Sequence, residues 1–210
     1  RDAENVREDS RSVTFDVHLG GDRIKNLRVS LCGRHQAENA CAALGAVLDL
    51  RKGGFTVSLS AIRRGMSSVS WPGRLEYFGH VLLDGAHNDP GVRALCAYCD
   101  AWLPKEKTVL VSGMMRDKET DKMCQRLAGR VRCAVLTKPD HPRAMDAGEL
   151  AASFAAQGLK TYVEEKPARA LERARSLAGP EGIVLVAGSL YLIGEMRTIL
   201  RAEKEFSHVI

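Results

Sequence analysis

The ten residues Val81-Leu82-Leu83-Asp84-Gly85-Ala86-His87-Asn88-Asp89-Pro90 contain a complete transition from strand to helix. The apolar run at their start ends at Asp84-Gly85, as a buried strand typically does. Asp89 followed by Pro90 is typical of a helix start, with Asp89 as the N-cap and Pro90 at the first helical position. The sequence therefore predicts a buried strand, a polar loop and a helix that ends near Trp102.

The same alternation of strand and helix continues toward the C-terminus. Strands that are apolar on both faces are typical of a mostly parallel sheet covered by helices on both sides. The further predicted strands are Thr108–Val111, Cys133–Leu136, Thr161–Val163 and Ile183–Val186, and the further predicted helices are Thr120–Leu127, Ala147–Gln157, Ala168–Leu177 and Leu190–Ala202. We therefore expect an α/β domain over residues 71–210.

Residues 1–70 follow a different pattern. Val13–Leu19 alternates apolar and polar residues, and Ile24–Leu31 can return after a glycine turn as the second strand of a hairpin. Two helices are predicted to follow, over Glu38–Leu50 and Ser60–Met66. A hairpin with two helices is too little for a convincing domain, so we expect this part to be the end of a larger one.

The composition indicates a soluble globular protein. The chain has 210 residues, 45% of them hydrophobic, and a formal charge of +5 from scattered basic residues. This pattern favours anionic ligands over a nucleic-acid groove. Because no apolar run approaches roughly 18 residues and the first residues are polar, we expect neither a membrane span nor a signal peptide. Six cysteines near apolar stretches favour a reducing cytoplasm.

The candidate site follows from a general rule for open parallel sheets, whose ligands bind beyond the carboxyl ends of the strands. Asp84 and His87 follow the first strand of this domain, and Asp117 and Lys118 follow the second. Ser189 follows the last strand at a helix N-terminus, where backbone N–H groups favour an anion. Gly-x-Gly-x-x-Gly and Gly-x-x-x-x-Gly-Lys-Ser/Thr do not occur, so the chain has no complete phosphate-binding fingerprint of its own.

Five short motifs carry a resemblance to a known enzyme family. They are Gly33-Arg34-His35-Gln36-Ala37-Glu38-Asn39-Ala40, Trp71-Pro72-Gly73-Arg74-Leu75-Glu76, Leu83-Asp84-Gly85-Ala86-His87-Asn88, Asp117-Lys118 and Gly188-Ser189-Leu190-Tyr191-Leu192. In this order they are similar to motifs of the folylpolyglutamate and dihydrofolate synthases, part of the Mur ligase superfamily. The resemblance covers essentially the whole chain, and the five motifs together are highly specific.

The resemblance implies a fold and an activity. Residues 71–210 resemble the family's Rossmann-like C-terminal ligase domain, and residues 1–70 resemble the C-terminal remnant of its central ATPase domain. Such an enzyme transfers the γ-phosphoryl group of ATP to a folate or dihydropteroate carboxylate, and the amine of L-glutamate attacks the acyl phosphate. The family's phosphate loop and Mg²⁺ ligands lie upstream. We therefore expect a cytoplasmic ligase that needs this missing N-terminal ATPase domain, and a chain that is inactive alone.

The resemblance also implies roles for three ATP-binding residues. Asn39 would contact the purine or ribose, Arg74 would bind phosphate, and Asp84 would accept from ribose hydroxyls or orient Arg74. From the residues alone, other roles stay open. Asn39 can be a plain helix cap, Arg74 a surface salt bridge and Asp84 a loop residue that caps the next turn.

Three further residues have implied roles in the reaction. His87 would act as the catalytic residue that stabilises charge on the transferring phosphoryl group. Lys118 and Ser189 would hold the carboxylates of the incoming glutamate, and no metal ligand is expected in this chain. The alternatives are a structural histidine, a solvated lysine and an ordinary N-cap.

Two alternative functions and one alternative site also stay open. The chain is compatible with a Mur-type ligase of peptidoglycan synthesis, although Gln36 and the Trp-Pro-Gly-Arg run favour the folate branch. It is also compatible with a nucleotide-binding module that has no chemistry of its own. Cys96-Ala97-Tyr98-Cys99 has the spacing of a redox or zinc pair, but its mid-helix position favours two core residues.

Overall fold

A computed structural model of the chain describes residues 2–117 and 119–206. The chain divides after Pro72 into two compact units. None of the described helices is long and apolar enough to cross a membrane.

The first unit is a three-stranded antiparallel sheet followed by two helices. Its strands have the order β1-β2-β3. They are β1 (Glu4–Glu8), β2 (Val13–Leu19) and β3 (Asp22–Val29), and the helices are α1 (His35–Lys52) and α2 (Leu59–Ser68). The predicted hairpin is therefore present. The additional strand β1 has no apolar alternation, because its residues are exposed or half-buried.

The core of the first unit lies between the sheet and its helices. Val13, Phe15, Val17 and Leu19 are buried along β2, as the alternation predicts. They pack in one cluster with Leu44 and its apolar neighbours on α1. The burial of these apolar side chains away from water provides the main stabilisation of the unit.

The second unit contains a six-stranded sheet. Its strand order is β4-β5-β9-β6-β7-β8. All neighbours run parallel except β4, which pairs antiparallel with β5 at one edge. The strands are β4 (Glu76–Phe78), β5 (Val81–Leu83), β6 (Thr108–Ser112), β7 (Cys133–Leu136), β8 (Lys160–Val163) and β9 (Ile183–Ala187).

Helices cover both faces of this sheet. On one face, α3 packs against α4 and α4 packs against α5. On the other face, α6 and α7 pack against each other and share one apolar cluster with residues of the strands. The helices are α3 (Asp89–Trp102), α4 (Thr120–Ala128), α5 (Ala147–Ala155), α6 (Pro167–Ala178) and α7 (Leu190–Phe206). The predicted fold, a mostly parallel α/β sheet covered on both faces, is confirmed.

The last strand fixes where the loops of the sheet converge. β9 enters between β5 and β6, so the chain order reverses there. The carboxyl ends of these three strands therefore lie side by side, and a crevice beyond this reversal is the usual ligand site of open α/β sheets.

One predicted helix cap is wrong. The N-cap of α3 is Asn88, whose side chain accepts a hydrogen bond from the Gly91 N–H at 2.9 Å. Asp89 is instead the first helical residue and forms an ion pair with Arg126 at 2.6 Å. Both residue types cap helices well, and the sequence alone does not indicate which of two adjacent candidates has the extended backbone.

Candidate functional site

The carboxyl ends of β5, β9 and β6 are joined by hydrogen bonds beyond the regular ladder. The Asp84 N–H donates to the Val186 carbonyl at 2.9 Å, and the Gly188 N–H donates to the Ala86 carbonyl at 2.9 Å. The Ser112 hydroxyl donates to the Ala187 carbonyl at 2.9 Å. The three loops therefore form one connected edge.

Asp84 is the buried acid of this edge. Its Oδ1 accepts from the Ala86 N–H at 3.0 Å, and its Oδ2 accepts from the Leu75 N–H at 3.1 Å. Burial raises the pKa of Asp84 to about 6, although these N–H groups and the nearby Arg74 and His87 act in the opposite direction. Each carboxylate oxygen accepts from a backbone N–H, and one of these belongs to Leu75, the residue after Arg74. This geometry favours the predicted role of orienting Arg74.

The turn that Asp84 holds has an unusual backbone. Leu75 has a left-handed φ of 46°, which costs a leucine about 1–2 kcal/mol relative to the ordinary helical region. Its neighbours fix this geometry. The Gly73 N–H donates to Glu76 Oε2 at 2.7 Å, and the Gly85 N–H donates to the Gly73 carbonyl at 2.7 Å.

Arg74 is the half-buried cation on this turn. Its Nη1 lies 3.7 Å from the position that a Cβ atom on Gly85 would occupy, which places the guanidinium beside the loop after β5. Among the side chains of residues 2–117 and 119–204, none forms a hydrogen bond or ion pair with this guanidinium. The alternative of a salt bridge is therefore not realised there, and the cation is available to an anionic ligand.

His87 lies in the same loop and is half-buried. Its Nδ1 is 2.8 Å from the Gly85 carbonyl oxygen. Since a carbonyl only accepts, we assign the proton to Nδ1. This assignment leaves Nε2 as the ring atom that can accept from a ligand, or donate to one when the imidazole is protonated.

Ser189 directly precedes α7 and is buried. Its hydroxyl oxygen accepts from the Tyr191 N–H at 3.1 Å, which is the geometry of a helix cap. The preceding Gly188 has a φ of 114°, and a Cβ there would lie 2.6 Å from the Ser112 hydroxyl oxygen. Only glycine allows the backbone to pass this close.

The second strand of the edge contributes less to the described site. Lys118, a predicted glutamate-binding residue, lies outside the described residues. The adjacent Asp117 forms an ion pair with Arg143 at 3.2 Å. Gly113 follows β6, and a Cβ there would lie 2.7 Å from the Thr137 carbonyl oxygen. This loop is therefore closely packed against the loop after β7.

Asn39 belongs to the first unit, in the first turns of α1. The helix begins at His35 with Arg34 as its N-cap, so Asn39 is not the cap. Its side chain is exposed, and its Nδ2 donates to Gln36 Oε1 at 3.0 Å. The amide is therefore held at the solvent face of the helix.

The cysteine pair is structural. Cys96 and Cys99 are buried in α3, and none of the six cysteines, all of which lie in the described part of the chain, forms a disulfide. Burial raises the pKa of Cys99 to about 12, which disfavours the reactive thiolate. The described side chains, those of residues 2–117 and 119–204, contain no group of three or more arranged to hold a metal ion.

Two charged residues of this region, Glu76 and Arg197, are not among the sequence predictions. The Arg197 Nε donates to Glu76 Oε1 at 3.0 Å and to Oε2 at 2.8 Å. The two residues are 121 positions apart. Only the position of Glu76 within a motif pointed to this region, and no signal in the sequence identified its partner.

Comparisons with known proteins show several relatives of this chain. Residues 73–190 match the family described as Mur ligase, glutamate ligase domain. A probable bifunctional folylpolyglutamate synthase/dihydropteroate synthase of Haloferax volcanii is 35% identical over 177 residues, covering 82% of this chain and 20% of that protein. The dihydrofolate synthase/folylpolyglutamate synthase of Bacillus subtilis is 32% identical over 181 residues, covering 84% of this chain and 42% of that protein.

A solved structure gives the same relationship. The Mycobacterium tuberculosis folylpolyglutamate synthase, complexed with ADP, superposes with a TM-score of 0.81 at 26% identity. The superposition covers 94% of this chain and 47% of that one. The chain thus spans less than half the length of each of these three proteins.

Proposed function

The chain belongs to the Mur ligase family, where it corresponds to the C-terminal portion of folylpolyglutamate and dihydrofolate synthases, and we propose that it serves an ATP-dependent glutamate ligase. In this proposal the enzyme joins L-glutamate to a folate or dihydropteroate carboxylate through an acyl phosphate. The observation that carries the proposal is the half-buried Arg74 guanidinium, which has no partner in the described chain and lies beside the loop of Asp84 and His87.

Arg74 is the proposed phosphate ligand. A guanidinium matches phosphate oxygens in two parallel hydrogen bonds, and it is more strongly attracted to them when partly shielded from water. Asp84 supports this role because it fixes the backbone at Leu75, the residue after Arg74. Asn39 of the first unit stays a predicted contact of the purine or ribose.

His87 is the proposed catalytic residue. ATP supplies the γ-phosphoryl group that activates the carboxylate, and negative charge shifts during this transfer. With its Nδ1 proton bound to the Gly85 carbonyl, His87 presents Nε2 to the reacting groups. When protonated, Nε2–H donates to an anionic oxygen and stabilises it.

The glutamate substrate is proposed to bind at the start of α7. The backbone N–H groups of a helix N-terminus and its dipole favour a carboxylate. Ser189 lies at this start, and Lys118 would add a positive charge. Both roles are predictions from the family motifs.

Mg²⁺ is not assigned to residues of this chain. The described residues contain no cluster suited to it, and we derive no step through a metal here. The prediction that the metal ligands and the phosphate loop lie elsewhere in the enzyme stands as part of the proposal.

The test is a ligation assay on the complete gene product. We expect incorporation of labelled L-glutamate with ATP, Mg²⁺ and either dihydropteroate or tetrahydrofolate, and none with the 210-residue chain alone. Arg74→Ala should lower kcat/KM for ATP about 100-fold, the size expected when a group that stabilises transition-state charge is removed. Arg169→Ala, which removes an exposed cation paired with Glu172, serves as the control.

Two results would contradict the proposal. The first is ATP binding without glutamate incorporation on either pteridine substrate, which would favour a nucleotide-binding module. The second is full activity of Arg74→Ala.

A further inference from the structure

The turn Gly73–Glu76 is fixed at each side of Arg74 by a carboxylate. The Gly73 N–H donates to Glu76 Oε2 at 2.7 Å, and the Leu75 N–H donates to Asp84 Oδ2 at 3.1 Å. The residues before and after Arg74 therefore each have a backbone N–H that is bound to a carboxylate. The guanidinium of Arg74 has no partner in the described chain, so its location depends on this backbone.

One of the two carboxylates is itself held from a distant helix. The Arg197 Nε on α7 lies 3.0 and 2.8 Å from the two oxygens of Glu76. The side chains of Arg197 and Glu76 are only 20% and 24% exposed. A charge pair shielded to this degree is less screened by water than a surface pair. Arg197 therefore fixes the carboxylate that accepts from Gly73.

The backbone of the turn needs such support. Leu75 has a φ of 46°, a conformation that leucine rarely adopts. Strained residues of this kind persist only when surrounding contacts over-determine them. If Glu76 were released, the Gly73 end of the turn would lose its acceptor and the strain at Leu75 would favour relaxation.

We propose that Arg197 and Glu76 are positioning residues that hold the Arg74 turn in place for nucleotide phosphate. The inference rests on the proposed function, since it names residues that act through Arg74. Neither residue has to touch the ligand, because each acts through the backbone of Gly73–Glu76. The same helix α7 begins at the proposed glutamate site, yet its first turn is held by Ser189 rather than by Arg197.

This arrangement predicts a selective kinetic effect. Arg197→Met removes the guanidinium and keeps much of the side-chain length. In the complete gene product we expect a tenfold or greater rise in KM for ATP with KM for glutamate within twofold of the wild type. Arg197→Lys, which keeps the charge, should restore part of the loss.

A matched ion pair provides the control. Arg175 on α6 donates through both terminal nitrogens to Glu203 on α7, at 2.9 and 2.8 Å. Arg175→Met thus removes an arginine–glutamate pair of similar geometry, whose side chains are 40% and 45% exposed, without touching the turn. Its kinetic constants should match those of the wild type.

A second measurement does not depend on activity. Amide hydrogen exchange detected by NMR reports the Gly73 and Leu75 N–H groups directly. In Arg197→Met we expect the Gly73 amide to exchange at least tenfold faster than in the wild type, with no change in Arg175→Met. This measurement also shows whether the variant is folded, because amides of β5 and β9 keep their protection only in the folded sheet.

The outcomes separate the two proposals. If the wild type forms no glutamate product, the proposed function fails whatever the exchange rates are. If the wild type is active but Arg197→Met behaves like Arg175→Met in KM for ATP and in Gly73 exchange, the positioning role is overturned. An equal rise of both KM values would also contradict it, because a general loss of structure affects both substrates.

Discussion

Both units of this protein use an aspartate to hold a left-handed backbone at a residue other than glycine. The pKa values of the two aspartates are shifted in opposite directions. In the first unit, Asp16 accepts from the Asn26 N–H at 2.8 Å and from the Asn5 side chain at 3.0 Å. In the second, Asp84 accepts from the N–H of Leu75. Asn5, Asn26 and Leu75 have φ values of 52°, 51° and 46°.

The two sites differ in how much strain remains. Asparagine tolerates the left-handed region because its side chain can hydrogen-bond locally, and Asp16 also lies 3.5 Å from Arg23. These contacts lower the pKa of Asp16, whereas burial raises that of Asp84 to about 6. The Asp16 site is a self-contained β-bulge. The Asp84 site combines a strained leucine, a buried acid and an arginine that has no partner among the described residues, as expected where structure is maintained for a ligand.

The largest effect should come from removing the second aspartate. Asp84→Ala leaves the Leu75 and Ala86 N–H groups without their acceptor and allows the Arg74 turn to relax. We expect kcat/KM for ATP of the complete gene product to fall about 100-fold, because displacing a positioning group by about 1 Å costs this much. Asp16→Ala is the control and should leave that ratio within twofold. If kcat/KM for ATP fell equally in Asp84→Ala and Asp16→Ala, the proposed difference between the two sites would be wrong.

The pH dependence of stability should have opposite signs at the two aspartates. The pKa of Asp84 is raised above its ordinary value of 3.8 to about 6, so the folded state binds this proton more tightly than the unfolded chain. Its contribution to stability is present below about pH 4 and is lost as the pH rises through 6, by about 3 kcal/mol in all. The lowered pKa of Asp16 acts in reverse, since its contribution is lost as the pH falls.

Carboxyl-detected NMR titration tests this contrast directly. We expect Asp84 to titrate near pH 6 and Asp16 below 3.8. We then expect the free energy of unfolding, measured in urea, to be lower at pH 7 than at pH 4.5 in the wild type. This difference should be smaller in Asp84→Asn. An Asp84 midpoint below 4 would mean that the two backbone N–H bonds outweigh burial.

Some of these features could be predicted from the sequence, and others could not. The apolar run Val81–Leu83 and the alternation in Val13–Leu19 placed strands correctly, because each pattern follows from which faces are buried. The strand β4 was missed, since three residues at a sheet edge have no periodicity to detect. Asp84 and His87 directly follow β5. Arg74 lies beside them because β4 pairs antiparallel with β5, which places the start of β4 next to the end of β5.

Three features of the site depend on tertiary contacts that no local pattern reveals. The pair of Glu76 and Arg197 spans 121 positions. The left-handed backbone of Leu75 is held by the hydrogen bond from its N–H to Asp84, and leucine itself gives no signal for it. The high pKa of Asp84 follows from burial, which only the assembled sheet produces.

The smallest effect should come from relieving the strain itself. Leu75→Gly removes the steric cost of the left-handed conformation but increases the backbone freedom lost on folding. These terms nearly offset, so we expect a stability change within about 1 kcal/mol, measured by urea unfolding. Asn26→Gly is the matched control, with an expected change of a few tenths of a kcal/mol, because asparagine is little strained there.

The same substitution separates strain from function. Glycine permits the turn but no longer restricts it, so the Leu75→Gly turn should sample more conformations and KM for ATP should rise severalfold although stability hardly changes. Asn26→Gly should alter neither quantity. If Leu75→Gly left KM for ATP unchanged, the hydrogen bonds of Asp84 and Glu76 alone would suffice to position Arg74, and the leucine would be incidental to the site.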